Sequence, residues 1–430
     1  MKIRNMQPKK DTGGDGQMET LDEDMDEEQV EEKVQKEHLQ IMKDSMTVYR
    51  SSMLYMTFIA ILAVDFHVFP RRFAKTEVTG YGLMDLGAGS FVVAAGLVSP
   101  RARQQSNTSQ SQQKSRRSLG RKDAYRILPL LLLGFIRLAT NKGLEYQEHV
   151  SEYGVHWNFF FTLAIVTPLG AILPGRPNWA VPISILTAYQ MGLTHYGGQD
   201  FIENAARTHC SSQVLSKLIG NNSALLQQLC TLFAANREGV LGSIGYLSMY
   251  LFGECIAYSH LWTSPNQRGS SQIPVWLTAL GLWTLLYILV DKLGIVVSRR
   301  STNASFCVWT LAHSMVLLAA IYSAMYFYEN PRTLAITPGS STTSRPRVPV
   351  VFQAVNRHGF LAFLVANLLT GLTNLSINTL AVNDALALLI LFLYLCAVGG
   401  FSVILHFVLE GTGKNRPTPP EKGVPKAKKE

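Results

Sequence analysis

Charge is what this sequence has least of. Asp, Glu, Lys and Arg make up 16% of the 430 residues, against about 25% in soluble domains. Cysteine is scarce too, five in all, which excludes a disulfide scaffold. No Gly-X-Y period is present, so a collagen-like chain is excluded, and a 47% hydrophobic content excludes wholesale disorder. Several chemistries are missing as well. There is no G-x-S-x-G elbow, no GxxxxGK[ST] phosphate loop and no dinucleotide fingerprint after a strand, so covalent serine or cysteine catalysis has no support. No internal repeat is visible, which argues against an inverted-repeat transporter. No signal-peptide pattern opens the chain.

What the chain has is long apolar blocks. Ten are found: Ser51–Phe69, Gly82–Ser99, Tyr125–Thr140, Trp157–Leu173, Ala180–Tyr196, Ser243–Trp262, Ile273–Val297, Ala304–Tyr328, Phe360–Leu380 and Ala385–Leu409. A spanning helix needs about 20 apolar residues, and helices apolar all round cannot be covered by so few polar segments. The expectation is an all-α fold, a polytopic transmembrane helical bundle of about ten spans. Residues 1–47 form an acidic cytoplasmic tail, expected to be disordered or a short surface helix. Residues 48–409 form the membrane domain, and 410–430 a basic cytoplasmic tail. Gln104–Ser115 and Thr337–Val348 read as linkers.

Charge is also asymmetric. Up to Asp44 there are 13 acidic against 7 basic residues, whereas the remainder carries 17 against 32. The basic residues lie mostly between apolar blocks, where they read as topology signals and lipid-headgroup contacts. No basic face on a folded soluble domain is visible, so nucleic acid is not expected as a partner. With ten spans, 21 Lys/Arg fall on one side and 9 on the other. The richer side is the cytoplasmic one. The loop 197–242 is then lumenal or extracellular. It holds Cys210 and Cys230, either bonded or simply unpaired, and Asn221 in a glycosylation pattern.

Ionisable residues within spans are costly and are functional candidates by default. Asp65 lies in the last turns of the first block, before Pro70 stops the helix. Arg71, Arg72 and Lys75 follow, and Asp85 opens the next block. Both carboxylates would lie just below the same non-cytoplasmic face, under two arginines and a lysine. That constellation is either a structural ion pair pinning a hairpin or an acid–base site. In the second case the aspartate takes a proton from an alcohol and the ammonium stabilises an oxyanion. A second concentration follows the third block, with Glu145, Glu148, His149, Glu152, His156, Trp157 and Asn158. Three- and four-residue spacing puts the first four on one helical face. The choices there are a solvated face, a metal pair at His149 and His156, or a polar wall for sugar hydroxyls. No HExxH pattern supports the metal. Arg237 and Glu238 precede the sixth block on the same side, while Asn367 and Asn374 in the ninth read as interhelical glue. Glu254, Asp291, His313 and His406 show no partner in sequence, and would be what a proton-coupled carrier needs.

Val64–Ser99 (VDFHVFPRRFAKTEVTGYGLMDLGAGSFVVAAGLVS) closely resembles the signature of the GPI-anchor inositol acyltransferases. Glu145–Val150, Tyr153–Ala164, Asn236–Gly239, Gly245–Glu254, Ser298–Asn303 and Phe363–Leu380 resemble the same family in the same order. The resemblance runs from about Val48 to Phe407. Family members ordinarily carry further spans where this chain has its acidic segment. The resemblance implies acylation of the inositol of glucosaminyl-phosphatidylinositol in the endoplasmic reticulum membrane. It implies acyl-CoA, usually palmitoyl-CoA, as co-substrate, and no permanently bound cofactor. Asp65 and Lys75 match the family's catalytic positions. Direct transfer would use Asp65 as base and Lys75 to stabilise the oxyanion or orient Asp65. Arg71 and Arg72 would meet CoA or lipid phosphates, and Asp85 with the 145–158 wall would hold the amino sugar.

Overall fold

A computed structural model of the chain describes residues 27–103, 121–143, 151–207, 224–262, 273–329 and 348–413. Among these the fold is all helical. The helices are α1 (Glu27–Ala63), α2 (Leu86–Leu97), α3 (Arg121–Gly143), α4 (Phe159–Ile172), α5 (Ala180–His195) and α6 (Gly198–Asn204). They continue with α7 (Ala224–Ala235), α8 (Arg237–Ile256), α9 (Ile273–Tyr287), α10 (Ala304–Glu329), α11 (Val350–Ser376) and α12 (Asp384–Gly413). Single π turns extend α8 to Leu261 and α9 to Lys292.

Each of the ten apolar blocks becomes a helix, and among the described residues six helices are long and apolar enough to cross a membrane: 33–63, 237–261, 273–292, 304–328, 350–376 and 384–410. By length and composition, then, six of these ten helices qualify as full spans on their own among the described residues, and the other four blocks are represented by shorter apolar stretches. α2, α4 and α5 have 12, 14 and 16 residues, which at about 1.5 Å per residue fall short of a hydrocarbon core of about 30 Å. α3 has 23 residues, but its apolar stretch is Ile127–Ala139 and Pro129 lies inside it.

α1 differs from expectation at both ends. It starts at Glu27, inside the segment expected to be disordered or a short surface helix, and Ile41, Met42, Met46 and Tyr49 are buried in the main core. It stops at Ala63, so Asp65 sits in the turn beyond the helix rather than in its last turns. Its two halves serve two clusters. Residues 41–53 pack with α2, α8 and α10, whereas Leu54, Phe58, Leu62 and Phe66 pack with α11 and α12.

α8 is the central element, touched by α2, α4, α5 and α10. Glycines permit the closest approach. A Cβ at Gly96 of α2 would lie 2.2 Å from the Tyr250 carbonyl oxygen, and one at Gly245 2.3 Å from that of Thr302. Small residues at such crossings let helix backbones meet in lipid. Outside this centre, Leu280, Leu368, Leu372, Phe392 and Ile404 point outward and exposed from α9, α11 and α12. An outward apolar belt is what a bundle in lipid presents.

Candidate active site

The segments between helices at one end of the bundle are tied together before any charge is counted. The Gly80 N–H donates to the Val297 carbonyl at 2.9 Å and the Ser298 hydroxyl to that of Val78 at 3.0 Å. The Val155 N–H donates to Ala235 O at 3.0 Å and the Gly239 N–H to Tyr153 O at 2.9 Å. Gly154 has φ +111°, and a Cβ there would lie 2.6 Å from the Asn236 Cα, so only glycine allows this closure. Segments far apart in sequence are thus joined in two pairs, 70–85 with 293–303 and 151–158 with the start of α8, and Glu152 brings the pairs together.

A chain of alternating charges lies where they meet. Lys75 Nζ is 2.6 Å from Glu152 Oε1, which is 2.9 Å from Arg299 Nη1. Arg299 Nε stands 2.7 Å from Asp85 Oδ1, a charge contact whose N–H is not aimed at the oxygen. Asp85 is buried and accepts from the Thr76 hydroxyl at 2.9 Å and from the N–H groups of Thr76 and Gly82 at 3.1 Å. Two cations and two anions make the chain neutral, so burying most of it is tolerated. Burial opposes the charge of Glu152, yet Lys75 and Arg299 beside it hold its carboxyl below the usual carboxylate range. Burial likewise opposes the charge of Arg299, but Glu152, Tyr153 and Asp85 raise its pKa. Tyr153, bonded to Tyr246 behind this chain, has its pKa pushed well up, chiefly by burial. Lys75 is the accessible end, with 48% of its side chain exposed.

Asp65 lies apart from this chain. The expected Asp65–Lys75 pairing is not formed: Asp65 Oδ2 accepts from Asn374 Nδ2 at 2.8 Å, and Lys75 is held by Glu152. The physical reason is the early end of α1, which puts Asp65 in a turn against the end of α11. Asn374 also lines an open depression of about 400 Å³ formed by residues 374–380. Arg71 and Arg72 are exposed; Arg71 donates to Val64 O at 2.7 Å, and Arg72 stacks on the Phe73 ring. Neither joins the charged chain.

The expected sugar-binding wall is largely structural where it is described. Asn158 caps α4, its Oδ1 accepting from Phe160 and Phe161 N–H at 3.1 and 3.3 Å, while its amide donates to Gly134 O. The Trp157 Nε1–H donates to the Thr162 hydroxyl, and its ring occupies the space that a Cβ on Gly239 would need. His156 uses its backbone N–H, which donates to Asn236 Oδ1 at 2.7 Å. Only Glu152 faces the charged chain. Glu145, Glu148, His149, Cys210 and Asn221 lie outside the described residues. Cys230 is disulfide-bonded, whereas Cys255, Cys307 and Cys396 are free thiols.

Arg237 and Glu238 fall in the first turn of α8, buried. Glu238 receives Arg207 at 2.5 Å, Arg300 at 3.1 Å and Arg237 at 3.8 Å. Sequence reading missed Arg207, Arg299 and Arg300 as site residues. The available signal was that the last two are the consecutive basic pair in a short segment assigned to the same side as Lys75.

The partnerless ionisable residues find neighbours. Glu254 meets Arg101 at 2.5 Å, His406 lies 3.4 Å from Glu410, and His313 contacts the Trp309 carbonyl at 3.0 Å. Asp291 is exposed at the end of α9. The carrier reading loses its basis with Glu254 neutralised by a buried arginine.

Relatives bear on this geometry. The model of the GWT1 family matches residues 6–405. GPI-anchored wall transfer protein 1 of Yarrowia lipolytica is 36% identical over 382 residues, covering 84% of this chain and 72% of that protein. The glucosaminyl-phosphatidylinositol-acyltransferase PIGW of Bos taurus is 34% identical over 378 residues, covering 81% and 71%. GPI-anchored wall transfer protein 1 of Kluyveromyces lactis is 33% identical over 373 residues, covering 85% and 74%. With likeness running across the helical bundle and through every loop that carries the charged chain, the chain belongs to the GWT1 family.

Proposed function

We propose that the protein transfers a fatty acyl chain from acyl-CoA to an inositol hydroxyl of glucosaminyl-phosphatidylinositol in the endoplasmic reticulum membrane. The relative named for that acylation supports the reaction. The observation that carries the chemistry is an accessible carboxylate and an accessible ammonium at one end of the bundle, each held by a different partner. Asn374 holds Asp65, and Glu152 holds Lys75.

In the proposed step the inositol O–H attacks the thioester carbonyl carbon as Asp65 takes its proton. Charge develops on the carbonyl oxygen, where Lys75 meets it. The C–S bond then breaks, and the CoA thiolate leaves and collects a proton, giving the ester and free thiol. Lys75 therefore acts on the oxyanion, since Glu152 rather than Asp65 is its neighbour. Asp65→Asn is expected to lower transfer by about a hundredfold or more while leaving folding and membrane insertion intact. Membranes given labelled acyl-CoA and glucosaminyl-phosphatidylinositol provide the assay. Labelled glycolipid formed at the normal rate by that variant refutes the base.

A further inference from the structure

The four-residue charged chain is neutral, but its neighbour is not. Arg207, Arg237 and Arg300 surround the single carboxylate of Glu238, so among the described residues three cations face one anion, an excess of two positive charges. The cluster is mostly buried: Glu238 has no exposure, Arg237 2%, Arg300 13% and Arg207 24%. Arg300 Nε is buried with no hydrogen-bond partner among the described residues. Guanidinium N–H groups left without acceptors in a partly desolvated place are costly. Arg207 donates through both Nη groups to Glu238 and Arg300 through Nη2. The other hydrogen bonds of these arginines go to backbone carbonyls: Arg237 to Ile202 O at 3.1 Å and Ala206 O at 3.5 Å, Arg300 to Ile202 O at 3.0 Å, and Arg207 to Ala235 O at 3.3 Å. Those carbonyl bonds fix the side chains without neutralising them.

Position supplies the rest. Arg299 and Arg300 are consecutive, yet Arg299 joins the Lys75 chain and Arg300 the Glu238 cluster. The excess charge therefore abuts the proposed acyl-transfer site and opens outward through Arg207. Guanidinium forks match the paired oxygens of a phosphate.

We propose that Arg207 and Arg300 form a phosphate subsite that takes the phosphodiester of an inositol phospholipid. In this arrangement Glu238 and Arg237 hold the two arginines in place. The proposal rests on the acceptor assignment made above and names the group that anchors that acceptor beside Lys75. Lipid phosphate is favoured over free phosphate because the cluster caps a helix that continues directly into the apolar bundle.

Binding tests it without acylation. The probes are a fluorescent short-chain phosphatidylinositol and a diacylglycerol with the same fluorophore, each titrated into the detergent-purified full chain. Arg300→Gln and Arg207→Gln should each weaken phosphatidylinositol binding about tenfold or more, and leave diacylglycerol binding unchanged. Arg300→Lys, which keeps charge but loses the fork, should fall between. Equal affinities in all variants, or equal losses for both probes, overturn the proposal. Should a variant fail to fold, the unsubstituted chain decides. Rising salt must weaken phosphatidylinositol and spare diacylglycerol, and a salt-independent affinity overturns the subsite. Inorganic phosphate stabilising the chain as strongly as the lipid does overturns the headgroup assignment in favour of a free anion. Absence of acylation by a chain that still discriminates the two probes would refute the proposed reaction and leave this subsite standing.

Discussion

Glu152 is where the charged chain is tested most cleanly. It carries no proton-transfer role in the proposed reaction, yet it contacts the lysine at 2.6 Å and the arginine at 2.9 Å. Glu152→Gln keeps the shape and removes the charge that fixes Lys75. The expected result is a kcat about tenfold lower with KM little moved, because oxyanion stabilisation acts in the transition state rather than on bound substrate. A large rise in KM at constant kcat would instead make Glu152 a substrate contact. Acid adds a second readout. Against the cost of burial, the folded carboxyl is held below its ordinary value of 4.5 by Lys75 and Arg299, so the chain's contribution to stability is fully present above that value. It is lost as pH falls through the lower folded value. Thermal unfolding midpoints should therefore decline below about pH 4.5 in the natural chain, and part of that slope should vanish in Glu152→Gln. At this scale Asp65, Lys75, Asp85 and Glu152 were all legible as costly ionisable residues near one face. Their pairing was not, because Glu152 and Arg299 are 147 residues apart and nothing in local spacing joins them.

Elements were more legible than contacts. Every long apolar block became a helix, since in lipid each backbone N–H and C=O must be satisfied within its own segment. Polar context hid the first half of α1, although Ile41, Met42, Ser45, Met46 and Tyr49 recur at helical spacing among charges and are all buried. The start of α8 was hidden for a related reason. Asn236, Arg237 and Glu238 read as a polar loop, but their side chains are satisfied by loops folded over them. That closure depends on the fit between Trp157 and Gly239. Gly239→Ala would bring a Cβ to 2.1 Å from Trp157 Cδ1, and the ring, fixed by its bond to Thr162, has to shift. Overpacking of this kind costs about 1–3 kcal/mol. Purified Gly239→Ala should unfold at a lower temperature and lose acyl transfer in step with stability. An unchanged unfolding temperature would mean that the loop and α8 are not packed as described.

The bundle as a whole has two chemically different ends. One gathers Lys75, Glu152, Arg299, Asp85 and the Glu238 cluster. The other is closed by Arg101, which donates to Glu254, to Gly170 O at 3.0 Å and to Gly175 O at 3.5 Å, and by Trp262, which donates to Leu97 O. This division has the same sense as the Lys/Arg bias of the sequence, which contains no information about contacts. The bias is read from ten alternating blocks, and each of those blocks is a helix, three of them of 16 residues or fewer. An orientation follows. In sealed microsomes a membrane-impermeant maleimide should modify Arg176→Cys, which lies exposed beside Gly175, without permeabilisation. Arg72→Cys, exposed at the Lys75 end, should react only after detergent. The unsubstituted chain sets the background: among the described free thiols Cys255 and Cys307 are buried, and Cys396→Ser removes the exposed one on α12. Reaction of both cysteines from outside would place the charged chain and the basic loops on one side, which the alternating connections between these helices do not allow. The orientation, and with it the lumenal position of the proposed chemistry, would then be wrong.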